Sequence, residues 1–174
     1  KGEFLANQYS GKGKLYFEDG ALEYSGGFEG GLYQGNGLLY HREGWLLYDG
    51  GFAKGLYEGE GSLYEEEDLL LYEGNFAGGL YDGEGKLYQN GNLIYEGEFK
   101  EGKKEGNGRL HSSAGLLIYE GSFVDDLPAE GSGILYDEYG AVLYEGGLID
   151  DVYQGKGTLF NPDGTILYEG EFAD

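Results

Sequence analysis

The stretch Tyr95-Glu96-Gly97-Glu98-Phe99 decides the fold of this chain, because close copies of it recur from one end of the sequence to the other. From one tyrosine to the next the spacing is 24, 24, 23, 24, 25 and 24 residues, and a fixed period in this range is typical of repeat proteins. The copies are Tyr24/Gly26/Phe28, Tyr48/Gly50/Phe52, Tyr72/Gly74/Phe76, Tyr95/Gly97/Phe99, Tyr119/Gly121/Phe123, Tyr144/Gly146/Leu148 and Tyr168/Gly170/Phe172, with Gly2 and Phe4 as the tail of an eighth.

A second segment, Gly-x-Gly-x-Leu-Tyr, lies between the copies of the first. Its alternation with period two and its Leu and Tyr content predict a strand, and neither segment is long enough for a helical pattern. We name Tyr-x-Gly-x-Phe strand A and the second segment strand B. Strand B begins at Gly11, Gly35, Gly59, Gly83, Gly106, Gly131 and Gly155 and ends at Tyr16, Tyr40, Tyr64, Tyr88, His111, Tyr136 and Phe160.

The connections between the segments are short. From B to A the chain passes through four or five residues that end near glycine, as at Asp19-Gly20, and these indicate tight hairpin turns. The link from A to B is expected to be slightly longer and to include pairs such as Leu32-Tyr33. Links this short allow only antiparallel neighbours. The sequence therefore predicts an all-β fold: an elongated, single-layer antiparallel sheet of about 15 strands built from tandem β-hairpins.

The hairpins are expected to form one array over residues 1–174, with about seven repeats and with truncation at both ends. Side-chain parity places Leu93, Tyr95, Gly97 and Phe99 on one face of strand A. Glycine inside a strand weakens it unless a neighbour needs the room. We therefore expect the tyrosine and phenylalanine rings to lie over the glycines of the paired strands, repeat after repeat.

The opposite face is expected to carry an aromatic row and an acidic row side by side. Two strands per repeat would place successive acids ~10 Å apart. The aromatic row comes from the end of strand B, with Tyr40, Tyr64, Tyr88 and Tyr136 as the candidate binding residues. The acidic row comes from strand A: Asp49, Glu73, Glu96, Glu120, Glu145 and Glu169.

Composition excludes several classes of function. A formal charge of −22 disfavours nucleic acid and anionic lipid, which bind clustered Lys and Arg. The sequence has no cysteine and only two histidines, His41 and His111, so no catalytic residue and no cofactor is predicted. The acidic run from Glu65 to Asp68 lacks the spacing of a calcium loop and is interpreted as a solvated turn, so no metal is predicted.

Together, the two segments on a period near 23 resemble the MORN repeat, over essentially the whole chain. The resemblance implies that each repeat is a β-hairpin, that successive hairpins extend one sheet, and that the protein is a scaffold, dimerisation platform or membrane-adjacent tether. Family members commonly carry Trp at the position of Phe28 or Phe52, and their loops are often basic. Here only Gly102-Lys103-Lys104-Glu105-Gly106 has that form, so membrane contact is not expected for the chain as a whole.

The leading hypothesis is a non-enzymatic scaffold for a basic or neutral protein. Tyr40, Tyr64, Tyr88 and Tyr136 would supply stacking contacts, and Glu73, Glu96, Glu120 and Glu145 would steer the partner. One alternative is carbohydrate or cell-wall binding through stacked tyrosines, and another is a lipid tether through a basic patch of Lys100, Lys103, Lys104 and Arg109. Association of copies through open end strands is a further expectation, and the regularity would also suit a designed array.

Overall fold

The computed structural model describes residues 2–5, 7–149 and 152–173. Its strands are neighbours in chain order within one open antiparallel sheet, which confirms the all-β prediction of tandem hairpins. Odd-numbered strands are of type A and even-numbered strands are of type B. They are β1 Gly2–Leu5, β2 Gln8–Tyr16, β3 Leu22–Glu29, β4 Leu32–Tyr40, β5 Leu46–Ala53, β6 Leu56–Glu66, β7 Leu69–Ala77, β8 Leu80–Gln89, β9 Asn92–Lys100, β10 Lys103–His111, β11 Leu117–Val124, β12 Leu127–Tyr136, β13 Val142–Ile149, β14 Val152–Phe160 and β15 Ile166–Phe172.

Backbone contacts divide the chain into two units, Lys1–Gly85 and Lys86–Asp174, with the boundary inside β8. Each unit is a run of successive hairpins. The described residues contain no helix long and apolar enough to cross a membrane.

Paired glycines run across the strands of each unit. In the first unit Gly26 lies opposite Gly37, which in turn lies opposite Gly50, and the pattern continues through Gly61 and Gly74. The second unit repeats this arrangement from Gly97 to Gly170. A Cβ atom added at Gly26 or Gly37 would collide with the ring of Tyr24. The expectation that tyrosine rings lie over glycines is therefore confirmed.

Gly121 shows how the glycine of strand A is surrounded. Tyr119 and Phe123, its partners in the sequence motif, are buried, but Gly121 itself is only half-buried. It lies opposite Gly108 and Gly133, and a Cβ atom added to it would meet the Tyr119 ring. The ring covers one side of the strand and leaves the other side open. Gly121 therefore makes room for the Tyr119 ring, as expected for the glycine of strand A.

The buried core lies on this glycine side of the sheet. Tyr24 is 0% exposed although the sheet has a single layer, because other rings cover it. Tyr33 stacks on it at 3.9 Å, and the edges of Phe28 and Phe52 contact it at 5.1 and 5.3 Å. Nine further residues are buried, each at most 4% exposed: Tyr48, Phe52, Tyr72, Phe76, Tyr95, Phe99, Tyr119, Phe123 and Tyr144.

The links from A to B are shorter than expected. Leu32 and Tyr33 already belong to β4, so the link after β3 is only Gly30-Gly31. Both glycines have positive φ, as a two-residue type I′ hairpin turn requires. The expectation of a longer A-to-B link was wrong because Tyr33 pairs with Phe28 across the turn and extends the strand.

A β-bulge changes the parity at the start of strand A. Leu39 pairs with Tyr48, but the next residue, Tyr40, pairs with Leu46, so that Leu47 is the extra residue. Leu46 therefore shares the face of Tyr40 and not that of Tyr48. The same shift recurs at Leu22, Leu70, Leu117, Val142 and Ile166. The sequence predicted that the residue two positions before the tyrosine, Leu93 in β9, shares the face of the tyrosine. At the equivalent positions in these strands that prediction was wrong, because the bulge turns the residue to the other face.

Candidate functional site

We call the face opposite the buried tyrosines the open face. In the first unit it carries Tyr40 and Tyr64, which are half-buried, and Asp49, which lies between Leu38 and Ser62 in the register of β4, β5 and β6. Each acid of strand A thus has a strand B residue on either side of it. The side chains of the B strands therefore separate the acids of the row from one another, and their chemistry differs from repeat to repeat.

In the second unit Arg109 interrupts the acidic row. Its two terminal nitrogens contact two neighbouring carboxylates: Nη1 lies 3.4 Å from Glu96 Oε1, and Nη2 lies 3.2 Å from Glu120 Oε1. These hydrogen bonds raise the pKa of Arg109, and the bond to Glu120 has the larger effect. The pairs are exposed, so they add little to stability. Their main effect is to neutralise part of the charge that was predicted to steer a partner.

The aromatic and acidic rows meet at Tyr136. Its hydroxyl donates a hydrogen bond to Glu120 Oε2 at 3.4 Å. Partial burial, and then the nearby charge of Glu120, raises the pKa of Tyr136. The hydroxyl therefore stays protonated and can donate to this carboxylate or to a partner at neutral pH.

Glu145 has different neighbours from Glu96 and Glu120. In the register it lies between Ile134 and Thr158, neither of which is charged. It lines a shallow groove of about 480 Å³ together with Glu169, Glu171 and Lys156. This part of the open face keeps an excess of negative charge.

A similar groove in the first unit has the opposite character. Its volume is about 620 Å³, and Lys12, Lys14 and Tyr16 line it beside Ser25 and Asn36. Both grooves follow the paired glycines, where the backbone is uncovered on the open face. The sign of the charge on the open face therefore differs from one repeat to another.

The structure does not gather the four basic residues of the fifth repeat into one patch. Lys104 pairs with Phe99 and holds its Nζ 5.5 Å from the centre of the Tyr95 ring, on the core side, whereas Arg109 lies on the open face. Lys103, opposite Lys100, has its Nζ 2.7 Å from Asp125 Oδ1. That hydrogen bond raises the pKa of Lys103 and lowers the pKa of Asp125.

Two acidic side chains have structural roles that the sequence did not indicate. Glu98 Oε1 accepts a hydrogen bond from the backbone N–H of Asn107 at 3.0 Å. Glu58 Oε2 accepts one from the N–H of Gly78, in the next A-to-B turn, at 3.0 Å. The Glu98 bond joins the two strands of one hairpin, β9 and β10, and the Glu58 bond ties one hairpin to the next. The sequence carried a signal only for Glu58, whose position is polar in other repeats as Gln34, Asp82 and Glu105.

The two histidines have different surroundings from each other. His41 stacks on Trp45, the single tryptophan of the chain, with ring centres 4.6 Å apart, and its Nδ1 accepts a hydrogen bond from Glu43 N–H. His111 takes the place of the open-face tyrosines and holds a buried Nε2 atom without a hydrogen-bond partner. No repeat pattern indicated the ring pair of His41 and Trp45, because it occurs in a single turn.

A comparison with family models finds the MORN repeat in five stretches, residues 1–22, 48–64, 72–93, 95–116 and 144–166, which cover more than half of the chain. The chain belongs to the MORN repeat family. MORN repeats are generally implicated in interactions with proteins or membranes. A comparison with curated proteins gives no match. Each stretch that matches the family model covers most or all of an A strand and of the B strand that follows it.

Proposed function

We propose that this MORN array is a non-enzymatic scaffold that holds a protein partner against its open face. The observation that carries the proposal is the contact of Tyr136 with Glu120, where an aromatic ring and a carboxylate adjoin on one surface. Rigid rings with a polar tip contribute large contact areas to protein interfaces. Tyr40, Tyr64 and Tyr88 occupy the equivalent position in other repeats.

The arrangement of the core supports the choice of face. Tyr24, Tyr48 and Tyr72 are fully buried, and each stacks on a tyrosine of its own hairpin. These aromatic residues hold the hairpins together and are not accessible to another protein. A partner that uses aromatic contacts would therefore meet the rings at the end of strand B.

The partner is expected to be basic or neutral, since the chain has a formal charge of −22. Among Glu96, Glu120 and Glu145, Glu145 is the best placed to steer such a partner, because its neighbours Ile134 and Thr158 carry no charge. Glu96 and Glu120 contribute less because Arg109 bridges them.

Charge reversal on the open face tests this proposal. A variant with Glu120→Lys and Glu145→Lys would be compared with a control that carries Glu67→Lys and Glu138→Lys. The control residues are exposed and lie in B-to-A turns, and the change in net charge is the same. We expect proteins that wild type and control capture from a lysate at low salt to be lost from the open-face variant.

Two further measurements make this result decisive. A Tyr136→Ala variant tests the aromatic half separately, and circular dichroism checks that every variant keeps its sheet. Equal capture of the same proteins by the open-face variant and by the control would contradict the role of the acidic row. Unchanged capture by the Tyr136→Ala variant would contradict the role of the aromatic row.

A further inference from the structure

Three asparagines of the chain are followed directly by glycine: Asn36-Gly37 in β4, Asn90-Gly91 between β8 and β9, and Asn107-Gly108 in β10. In this dipeptide the backbone nitrogen of the glycine can attack the side-chain amide carbon of the asparagine, because glycine has no Cβ atom to hinder the approach. All three asparagines are exposed. Exposure therefore does not distinguish the three sites, and the difference between them lies in the backbone.

In β4 the glycine after Asn36 is fixed inside the sheet. Gly37 lies opposite Gly26 on one side and Gly50 on the other. It is buried, and a Cβ atom added to it would collide with the ring of Tyr24. The attack requires rotation about the Cα–C bond of Asn36, which would break the pairing with both neighbouring strands and displace the ring. The reaction at this site therefore needs local opening of the sheet.

The site in β10 is held in a similar way. Gly108 lies opposite Gly97 and Gly121, the glycines of the two neighbouring strands. The side chain of Asn107 is also engaged, since its Oδ1 accepts a hydrogen bond from Ser122 Oγ at 3.2 Å. Both the attacking nitrogen and the amide that it would attack are thus constrained by the sheet.

The Asn90-Gly91 site lies outside the ladder of strand pairing. These two residues alone join β8 to β9, and both are exposed. Their φ angles, 51° and 79°, are those of a type I′ turn. In longer B-to-A turns the glycine N–H donates to the carbonyl three residues earlier, as from Gly20 N–H to Phe17 O, but Gly91 does not make this bond. The main chain at Asn90 can therefore rotate without opening an inner part of the sheet.

We propose that Asn90 is a site of spontaneous deamidation by water and that the sheet protects Asn36 and Asn107 from the same reaction. The N–H of Gly91 loses its proton to hydroxide, and the nitrogen forms a bond to Asn90 Cγ. The bond from Cγ to the side-chain nitrogen breaks, and this nitrogen takes a proton from water and leaves as ammonia. A second water then opens the cyclic imide at either carbonyl, which leaves aspartate or isoaspartate at position 90.

The two products have different effects on the hairpin. Aspartate adds one negative charge and leaves the length of the main chain unchanged. Isoaspartate passes the main chain through the former side chain and so adds one methylene group to a turn of two residues. Because the turn sets the register of a hairpin, isoaspartate loosens the pairing of β8 with β9. This change is covalent and does not involve the open face, so the modified fraction records how long the chain has been in solution.

The three sites can be compared within one sample. The full chain would be incubated at about pH 8.5 and about 37 °C, both folded and in about 6 M guanidinium chloride, and then digested briefly with trypsin. Lys and Arg residues separate the sites into peptides 15–42, 87–100 and 105–109, and mass spectrometry follows the gain of one dalton at each asparagine. We expect Asn90 to react at least tenfold faster than Asn36 and Asn107 in the folded chain, and all three to react within about threefold of one another in denaturant.

Other outcomes would overturn the proposal. Equal rates at the three sites of the folded chain would show that the sheet gives no protection, and a folded chain in which Asn90 reacts only after denaturation would show that the turn is not a site. Hydrogen exchange tests the effect on the hairpin: we expect faster exchange in β8 and β9 of the isoaspartate fraction and unchanged exchange in an Asn90→Asp variant. Equal exchange in the two would contradict the loosening of the hairpin.

Discussion

The hydroxyl of Tyr24 donates a hydrogen bond to the backbone carbonyl of Gly27, three residues further along the same strand, at 3.1 Å. The ring therefore lies along its own strand, over Gly26, and its polar tip is satisfied by the backbone. The same bond recurs from Tyr48 to Gly51, Tyr72 to Asn75, Tyr95 to Glu98, Tyr119 to Ser122, Tyr144 to Gly147 and Tyr168 to Glu171. This bond explains why the repeat requires tyrosine, and why glycine follows two residues later.

Removing one of these hydroxyls should destabilise the protein measurably. Tyr72→Phe deletes the 3.0 Å bond to the Asn75 carbonyl, which lies beside a fully buried ring. We expect a loss of about 1 kcal/mol in the free energy of unfolding, measured by urea denaturation. Tyr168→Phe is the control, because Tyr168 is 46% exposed and water can replace its bond. An equal loss in both variants would contradict the importance of burial.

A methyl group placed under a tyrosine ring should be more harmful than one placed in a turn. In Gly61→Ala the new Cβ would meet the ring of Tyr48, and we expect a cost of about 3 kcal/mol from overpacking. In Gly44→Ala the Cβ meets nothing within 4 Å, but φ is +96°, so the expected cost is about 1 kcal/mol. Thermal unfolding of the two variants should reproduce this order. The reverse order would show that the ring over Gly61 adjusts easily.

Restoring a missing ring in the fifth repeat should stabilise it. Tyr33, Tyr57, Tyr81 and Tyr153 stack on the buried tyrosines at 3.8 to 4.1 Å, whereas Lys104 occupies this position over Tyr95. We expect Lys104→Tyr to raise the free energy of unfolding by about 0.5 to 1.5 kcal/mol. Lys100→Tyr, on the exposed end of β9, is the control and should change little. A lower stability of Lys104→Tyr would mean that the cation contributes more than a stacked ring.

Alkaline pH should unfold the protein. Burial raises the pKa of Tyr24, Tyr57 and Tyr119 above the ordinary value, because the sheet accommodates the neutral phenol better than the phenolate. A raised folded-state pKa contributes stability that is complete below the unfolded value of about 10 and is lost as the pH rises above it. Circular dichroism and phenolate absorbance, followed together between about pH 9 and pH 12, should change in the same range. Ionisation of most tyrosines in a chain that keeps its sheet would contradict this expectation.

Much of the fold could be predicted because the pattern encodes it directly. The interval between Tyr48 and Tyr72 sets the hairpin period, and the glycines at alternate positions mark the side on which the rings lie. The order of strands then follows from links too short to cross the sheet. Because each periodic residue has the same neighbours in every repeat, few other folds are compatible with the pattern.

The parts that could not be predicted depend on local register. The bulge at Leu47 is invisible to simple alternation, because an extra residue changes the face of Leu46 without changing the composition. Tyr33 looked like part of a link until its pairing with Phe28 placed it in the strand. In the candidate site, the ion pairs of Arg109 were the main feature that the sequence did not predict. Arg109 bridges two acids of neighbouring A strands because the register places it between them. Only the paired register reveals that relationship.

The edge of Phe52 contacts Tyr24 in the preceding hairpin, and the edge of Phe76 contacts Tyr48 in the same way. Each hairpin thus locks the one before it, and strands that follow one another in sequence are also neighbours in the sheet. Under tension applied along the chain, the repeats of the first unit should therefore detach one by one. Each step of 24 residues would release about 80 Å of extended chain, so that a single-molecule force measurement would record a series of similar length increments.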